Sequence, residues 1–183
     1  MLALPEKINT KRLVLRRLRY EDAEEIFYTY ASKEEATRYV SWRRHQRVED
    51  TRRFLAFAVN AWNSGRDFSY SVRLRDSNRL VGSIGVINLD GKVQFGYIFS
   101  PSQWNLGYAT EACSAVLDLL TDIPDLVSIT TFVDVDNQAS IRVLEKCGLQ
   151  AEGVFPQWFR FPNQNNEARD CILFSVPRSE KPS

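Results

Sequence analysis

Apolar and polar positions change period several times along the 183-residue chain, and each change predicts an element. RLVLRRLR (12–19) alternates apolar and charged side chains, the period of a half-buried strand. YEDAEEIFYTYAS (20–32) follows with acidic residues in its first turn, where they complement a helix dipole. In VEDTRRFLAFAVNAWNSG (48–65), Phe54, Leu55, Phe57, Ala58, Ala61 and Trp62 form a helical stripe that ends at a glycine. FSYSVRLR (68–75), RLVGSIGVINL (79–89) and KVQFGYIFS (92–100) then read as strands, and the DSN and DG between them suit a meander.

The second half repeats the exchange of periods. Ala109, Ala112, Cys113, Val116, Leu117 and Leu120 recur at helical spacing and predict a helix over about 107–121. LVSITTFVD (126–134) is a β-branched strand, and DNQASIRVLEKCG (136–148) is a short helix with polar residues at its start and glycine at its stop. Strands at about 150–160 and 168–176 finish the pattern. The element order predicts an α+β domain with a mixed sheet. No repeat, low-complexity tract or linker divides the chain. Residues 1–183 therefore read as one domain with a core over about 8–177 and a disordered tail at 178–183.

Composition narrows the function classes. Lys plus Arg number 24 and Asp plus Glu 23, a balance that points to neither nucleic acid nor an anionic membrane. The local exception is SWRRHQR (41–47), with Arg43, Arg44, His45 and Arg47. Cys113, Cys147 and Cys171 lie far apart, and one histidine leaves little to build a zinc site, so no metal is expected. The odd cysteine count, the lack of a secretory leader and the lack of a membrane-length apolar run suggest a cytoplasmic protein.

The candidate chemistry begins at WNLGYATEA (104–112), where a strand hands over to a helix. Free N–H groups and the positive dipole end at such a helix start bind anions, and Gly107 lets a ligand approach the backbone closely. A plain turn with a helix-start glycine is the other reading. No GxxxxGK[ST] is present, and GSIG (82–85) lies inside a strand pattern, so neither a P-loop nor a Rossmann fingerprint is supported.

Taken with DNQASIRVLEKCGLQAEG (136–153), the segment GYIFSPSQWNLGYATEA resembles the GNAT superfamily of acyl-CoA-dependent N-acyltransferases, in the branch of the RimJ/RimL-type enzymes that acetylate ribosomal-protein N-termini. RLVLRRLRYEDAEEIF, RLVGSIGVINLDG and NEARDCILFSVPR extend the resemblance over nearly the whole chain. It implies the GNAT fold, a mostly antiparallel central sheet with helices on both faces, and acetyl-CoA as co-substrate. Trp104, Asn105, Leu106, Gly107, Tyr108, Ala109 and Thr110 fall in the family's pyrophosphate loop and helix start. Trp104 stands where many relatives outside this branch have Gln or Arg, and Asn105 where Gly is common. Tyr97, Ile98 and Phe99 match the splayed strand that pairs with the pantetheine arm and polarises the thioester carbonyl.

Asn137 matches the asparagine that bonds the pantetheine arm, and Ser140 the serine that protonates the departing thiolate. Their spacing puts both on one helix face; a helix cap at Asn137 and a serine that faces solvent or the strand beside it are the structural alternatives. Lys146, and less so Arg142, are candidates for the cofactor's 3′-phosphate, against a solvated helix face. Two glutamates expected from relatives are missing: Gln94 and Phe159 stand in their places. His45, Glu152 or a water remain as bases, although His45 also reads as a loop residue that helps start the following helix. Trp158, Phe159 and Phe161 would wall an acceptor site or simply pack a strand. The implied reaction is acetyl transfer to a primary amine, a protein N-terminus or a small molecule. The alternative is a coenzyme-A-binding sensor without turnover. Acceptor, acyl length and oligomeric state, a homodimer included, are not set by these residues.

Overall fold

In the computed structural model, which describes residues 2–177, the strand-patterned segments lie side by side in one eight-stranded sheet. The elements are β1 (Lys7–Asn9), β2 (Leu13–Arg17), α1 (Ala23–Ile26), α2 (Glu34–Thr37), α3 (Val48–Asn63), β3 (Asp67–Leu74), β4 (Leu80–Leu89), β5 (Lys92–Phe99), α4 (Tyr108–Thr121), β6 (Ser128–Asp134), α5 (Gln138–Lys146), β7 (Gln150–Arg160) and β8 (Ala168–Ser175). Their order in the sheet is β1-β2-β3-β4-β5-β6-β8-β7. Every neighbouring pair is antiparallel except β5 with β6. The expected mixed, mostly antiparallel sheet is therefore what forms. The tail at 178–183 lies outside the described residues.

Two elements were not expected: β1 has three residues and α2 four, too few to display a period. The helix expected over 20–32 is a composite of a 3₁₀ turn (Tyr20–Asp22), α1 and a π turn (Phe27–Ala31). The Ser32 N–H reaches back five residues to the Phe27 carbonyl at 3.2 Å, which closes the π turn.

Strand β3 shows why helices cover both faces. Phe68, Tyr70, Val72 and Leu74 alternate into one core with Ile84, Val93 and Phe95 of the neighbouring strands, Val116 and Leu120 of α4, and Ile141 and Leu144 of α5. Leu18, Leu80 and Ile98 belong to a second core with Ile26, Tyr30, Leu55 and Ala58 from the N-terminal helices. Each fully buried large side chain contributes about 1.5–3 kcal/mol, so both layers are held chiefly by apolar burial.

The intervening residues of β3 are polar yet buried, and each finds local partners, although the Arg73 Nε is left without one among the described residues. Ser69 Oγ donates to Asp67 Oδ1 at 2.6 Å, and Ser71 Oγ donates to the Arg16 carbonyl at 3.1 Å. The Arg73 side chain, 4% exposed, binds Asp22 at 3.1 Å and Glu25 at 2.6 Å, while Arg16 reaches the same Asp22 oxygen at 2.8 Å. This charge cluster pins α1 to the sheet. Arg73→Met is expected to lower urea-unfolding stability by about 3 kcal/mol, the low end for a broken buried pair because Arg16 still faces Asp22. Equal midpoints for variant and wild type would show that the cluster does not hold α1.

Candidate active site

Strands β5 and β6 stay paired for three residues only: Lys92 with Ser128, Val93 with Ile129, and Gln94 with Thr130. Beyond them Thr131 offers its side chain, with Oγ1 donating to the Phe95 carbonyl at 2.8 Å, and the strands part. The direction of each backbone group follows from alternation. Thr130 and Thr131 hydroxyls reach the carbonyls of Val93 and Phe95, so odd-numbered residues of β5 face β6. Tyr97 and Phe99 therefore turn their N–H groups into the gap, on the side where no strand among the described residues pairs with β5 beyond Gln94.

The even-numbered residues face β4. Ser100 N–H donates to the Val81 carbonyl at 2.8 Å, and a Cβ on Gly82 would collide with the Ile98 carbonyl and the Phe99 ring. Ile98 thus lies on the splayed strand as expected, but its backbone groups serve the sheet and its side chain the N-terminal core. The Phe99 carbonyl is taken by Trp104 Nε1 at 3.0 Å, which folds the following loop back over the strand end.

That loop reverses through two left-handed residues, Asn105 (φ 61°) and Gly107 (φ 80°). Helix α4 starts directly after Gly107, with no side-chain cap. Glu111 N–H makes the first helical bond, to the Gly107 carbonyl at 3.1 Å. Tyr108, Ala109 and Thr110 consequently present uncapped N–H groups at the positive end of the dipole. Trp104 and Leu106 are about half exposed beside them. One feature was not visible in the sequence. Thr10 and Arg12, in the β1–β2 turn, grip Glu111 and the loop. Burial pushes the Glu111 carboxyl up, but the bonds from Thr10 and Arg12 outweigh it and hold the group below its ordinary value.

Helix α5 faces the same gap. Asn137 caps it, with Oδ1 accepting from the Ser140 N–H at 3.3 Å, while its Nδ2 has no protein partner among the described residues. The cap and a ligand contact use different atoms, so the two readings of Asn137 do not compete. Ser140 is not a solvent-facing serine. Its Oγ accepts from the Tyr97 hydroxyl at 3.1 Å, across the mouth of the splay. Burial drives the Tyr97 phenol well above its ordinary value, so it stays protonated. The turn feeding α5 is fixed by Asp134, which accepts from Arg169 Nε at 3.0 Å and from the Asp136 N–H at 2.9 Å. Arg142 and Lys146 are exposed and have no ion-pair partner among the described residues.

On the opposite face, Gln94 is exposed, and the space above Gly96 is open, with nothing within 4 Å of where a Cβ would stand. Phe159 packs with Phe132 and Phe161 at ring distances of 5.2 and 5.0 Å. Asn163, in the β7–β8 loop, donates to the Thr37 and Trp42 carbonyls at 2.7 and 2.9 Å and accepts from the Arg44 N–H at 3.0 Å. The basic segment SWRRHQR is thereby clamped to the far arm of the sheet. His45 Nδ1 bonds Thr51 Oγ1 in the first turn of α3 at 2.8 Å, and burial lowers its pKa. This Nδ1 bond fits the helix-starting reading. Glu152, on the outermost strand β7, accepts from Ser175 of β8, and two strands separate it from the splay.

A split between two central parallel strands, with helix starts on either side of its mouth, has the shape and dipoles that suit an extended ligand with an anionic end. Residues 12–150 match the Acetyltransferase (GNAT) domain family, and the chain belongs to that family. It is 31% identical over 172 residues to the "Uncharacterized N-acetyltransferase YoaA" of Bacillus subtilis, covering 92% of this chain and 95% of that one. A GNAT-family acetyltransferase structure from Bacillus anthracis superposes with a TM-score of 0.81 at 28% identity, over 93% of this chain and 97% of that one. Mycobacterium smegmatis RimJ, solved with a coenzyme A disulfide, shares the fold at a TM-score of 0.80 and 20% identity, over 93% of this chain and 84% of its own.

Two of the three cysteines meet between α4 and α5. Cys147 Sγ donates to the Thr110 carbonyl at 3.6 Å and lies 3.5 Å from Ser114 Oγ. A hydrogen bond from Cys113, helped by Ser114 and opposed by burial, lowers the Cys147 thiol to about 7. Burial raises Cys113, and also Cys171, to about 11 in the latter case. Iodoacetamide is therefore expected to label Cys147 first, at a rate that climbs through about pH 7. Mass spectrometry that finds Cys113 or Cys171 modified first would contradict this ordering.

Proposed function

We propose that the protein transfers an acetyl group from acetyl-CoA to a primary amine by direct attack, and the observation that carries this reading is the Tyr97–Ser140 bond across the splay. The unpaired edge of β5 suits the amide-rich pantetheine arm, and the N–H of Tyr97 or Phe99 suits the thioester oxygen. Loop residues Trp104 to Gly107 and the N–H groups of Tyr108, Ala109 and Thr110 take the diphosphate. Asn137 Nδ2 bonds the arm, and Lys146 meets the 3′-phosphate. Holding both reactants in the split supplies most of the rate gain, on the order of 7–11 kcal/mol of barrier for well-oriented groups.

The acid step follows from who donates to whom. Tyr97 gives its hydroxyl hydrogen to Ser140 Oγ, so the Ser140 hydrogen is free for the leaving thiolate. Ser140→Ala is expected to lower kcat by about 100-fold, the usual scale for a lost general acid, with coenzyme A affinity by calorimetry unchanged. A variant that keeps full turnover removes Ser140 from the chemistry.

The acceptor amine reaches the thioester from the open face above Gly96, a protein N-terminus or a small amine being the two classes. With Gln94 and Phe159 in place of glutamates, water rather than a side chain takes its proton. The rising limb of kcat/KM against pH is then set by the acceptor, and it moves when amines of different basicity are compared. A limb fixed across the series would reveal a side-chain base. The same missing glutamates favour a second reading, a coenzyme-A-binding sensor. That reading predicts binding without thiol release for every amine tried.

A further inference from the structure

We propose that Arg12 offsets the carboxylate of Glu111 at the cofactor's diphosphate site and offers the diphosphate its free guanidinium edge, with Glu111 holding it there, an inference that rests on the coenzyme A reading above. The loop itself is short of charge: PSQWNLGYAT (101–110) contains neither Lys nor Arg. Worse for an anion, Glu111 places a carboxylate in the first turn of α4. A carboxylate there complements the helix dipole but repels a diphosphate bound at the same helix start.

Arg12 resolves that conflict. Its Nε donates to Glu111 Oε2 at 2.7 Å, and its backbone N–H donates to Oε1 at 2.7 Å. Thr10 Oγ1 donates to Oε1 at 2.6 Å, so both carboxylate oxygens are engaged from the β1–β2 side. Arg12 Nη1 donates to the Leu106 carbonyl at 2.8 Å, between the two left-handed residues of the loop. The guanidinium lies over the Tyr108 ring at 4.6 Å, which fixes its plane.

Nη2 is left over. It has no hydrogen-bond partner among the described residues, and a Cβ on Gly107 would stand 3.2 Å from it. The free edge of a fork that recognises phosphate oxygens therefore sits beside the glycine at the helix start. The Arg12 side chain is 43% exposed, so a ligand reaches it without displacing protein. Arg12 cancels the charge of Glu111, leaves the helix dipole unopposed and offers two further N–H donors.

The test compares coenzyme A with pantetheine, which lacks the diphosphate, by calorimetry or ligand-observed NMR on the full chain. Arg12→Gln exposes the charge of Glu111 and is expected to weaken coenzyme A about 10- to 100-fold, the scale of one or two charge-assisted bonds, with pantetheine unaffected. Arg12→Gln combined with Glu111→Gln removes both charges and recovers much of the loss. Arg12→Lys keeps the charge without the fork, so it weakens coenzyme A less than Arg12→Gln and guards against a folding defect. Unchanged coenzyme A affinity in Arg12→Gln overturns the proposal, as does equal weakening of both ligands. A wild-type protein that binds pantetheine but not coenzyme A also overturns it. Failure of the wild type to bind either ligand overturns the coenzyme A reading itself.

Discussion

The rest of the site depends on the unpaired edge of β5. Two parallel strands separate after Gln94 and Thr130, and the backbone N–H groups of Tyr97 and Phe99 are left facing a gap. A buried amide without a partner costs about 1–3 kcal/mol, so such an edge persists only where the surrounding structure holds it open. Several features do so. Gly82 brings β4 against the Ile98 carbonyl and keeps the other edge fully paired. Trp104 ties the Phe99 carbonyl to the following loop, and Thr131 closes the inner end of the split. The packed cluster of α4 and α5 against Phe95 and Phe99 keeps the arms from closing on each other. The edge stays open because packing forbids its pairing within the chain, which suits it to the proposed cofactor arm.

Both helices bordering the split turn their starts toward it, and the local chemistry differs between them. Helix α4 opens uncapped after a left-handed glycine, so its first N–H groups remain available. Helix α5 opens with an asparagine cap that satisfies Ser140 N–H and leaves the Asn137 amide nitrogen free. Tyr97 then joins strand to helix through Ser140, which makes the serine part of the cleft wall instead of a surface residue. That difference supports the proposed placement of a diphosphate at the first helix and a thioester beside the second.

Much of the fold was legible because burial imposes a period. The alternation in β3 and the stripe in α4 located those elements to within a residue or so. β1 and α2 were invisible since three or four residues carry no period. The candidate site could be proposed from the sequence where its residues fall within one short segment, as with Asn137 and Ser140 three residues apart. It was not legible where partners come from distant segments. Arg12 and Glu111 are 99 positions apart, and Tyr97 and Ser140 are 43 apart. Ile98 illustrates a further limit: the sequence names the strand, but which of its residues face the gap depends on the register with β4. His45 carries two readings, and the Nδ1 bond to Thr51, a partner six residues away, fits the one at the start of α3.

Amide hydrogen exchange with and without acetyl-CoA tests the central claim most directly. The account predicts that the cofactor slows exchange at Tyr97 and Phe99 on the open edge of β5 and at Tyr108, Ala109 and Thr110 at the start of α4. The amides of β5 that already face β4 should change little. Unchanged exchange at both groups under saturating acetyl-CoA, or protection confined to other surfaces, would contradict it.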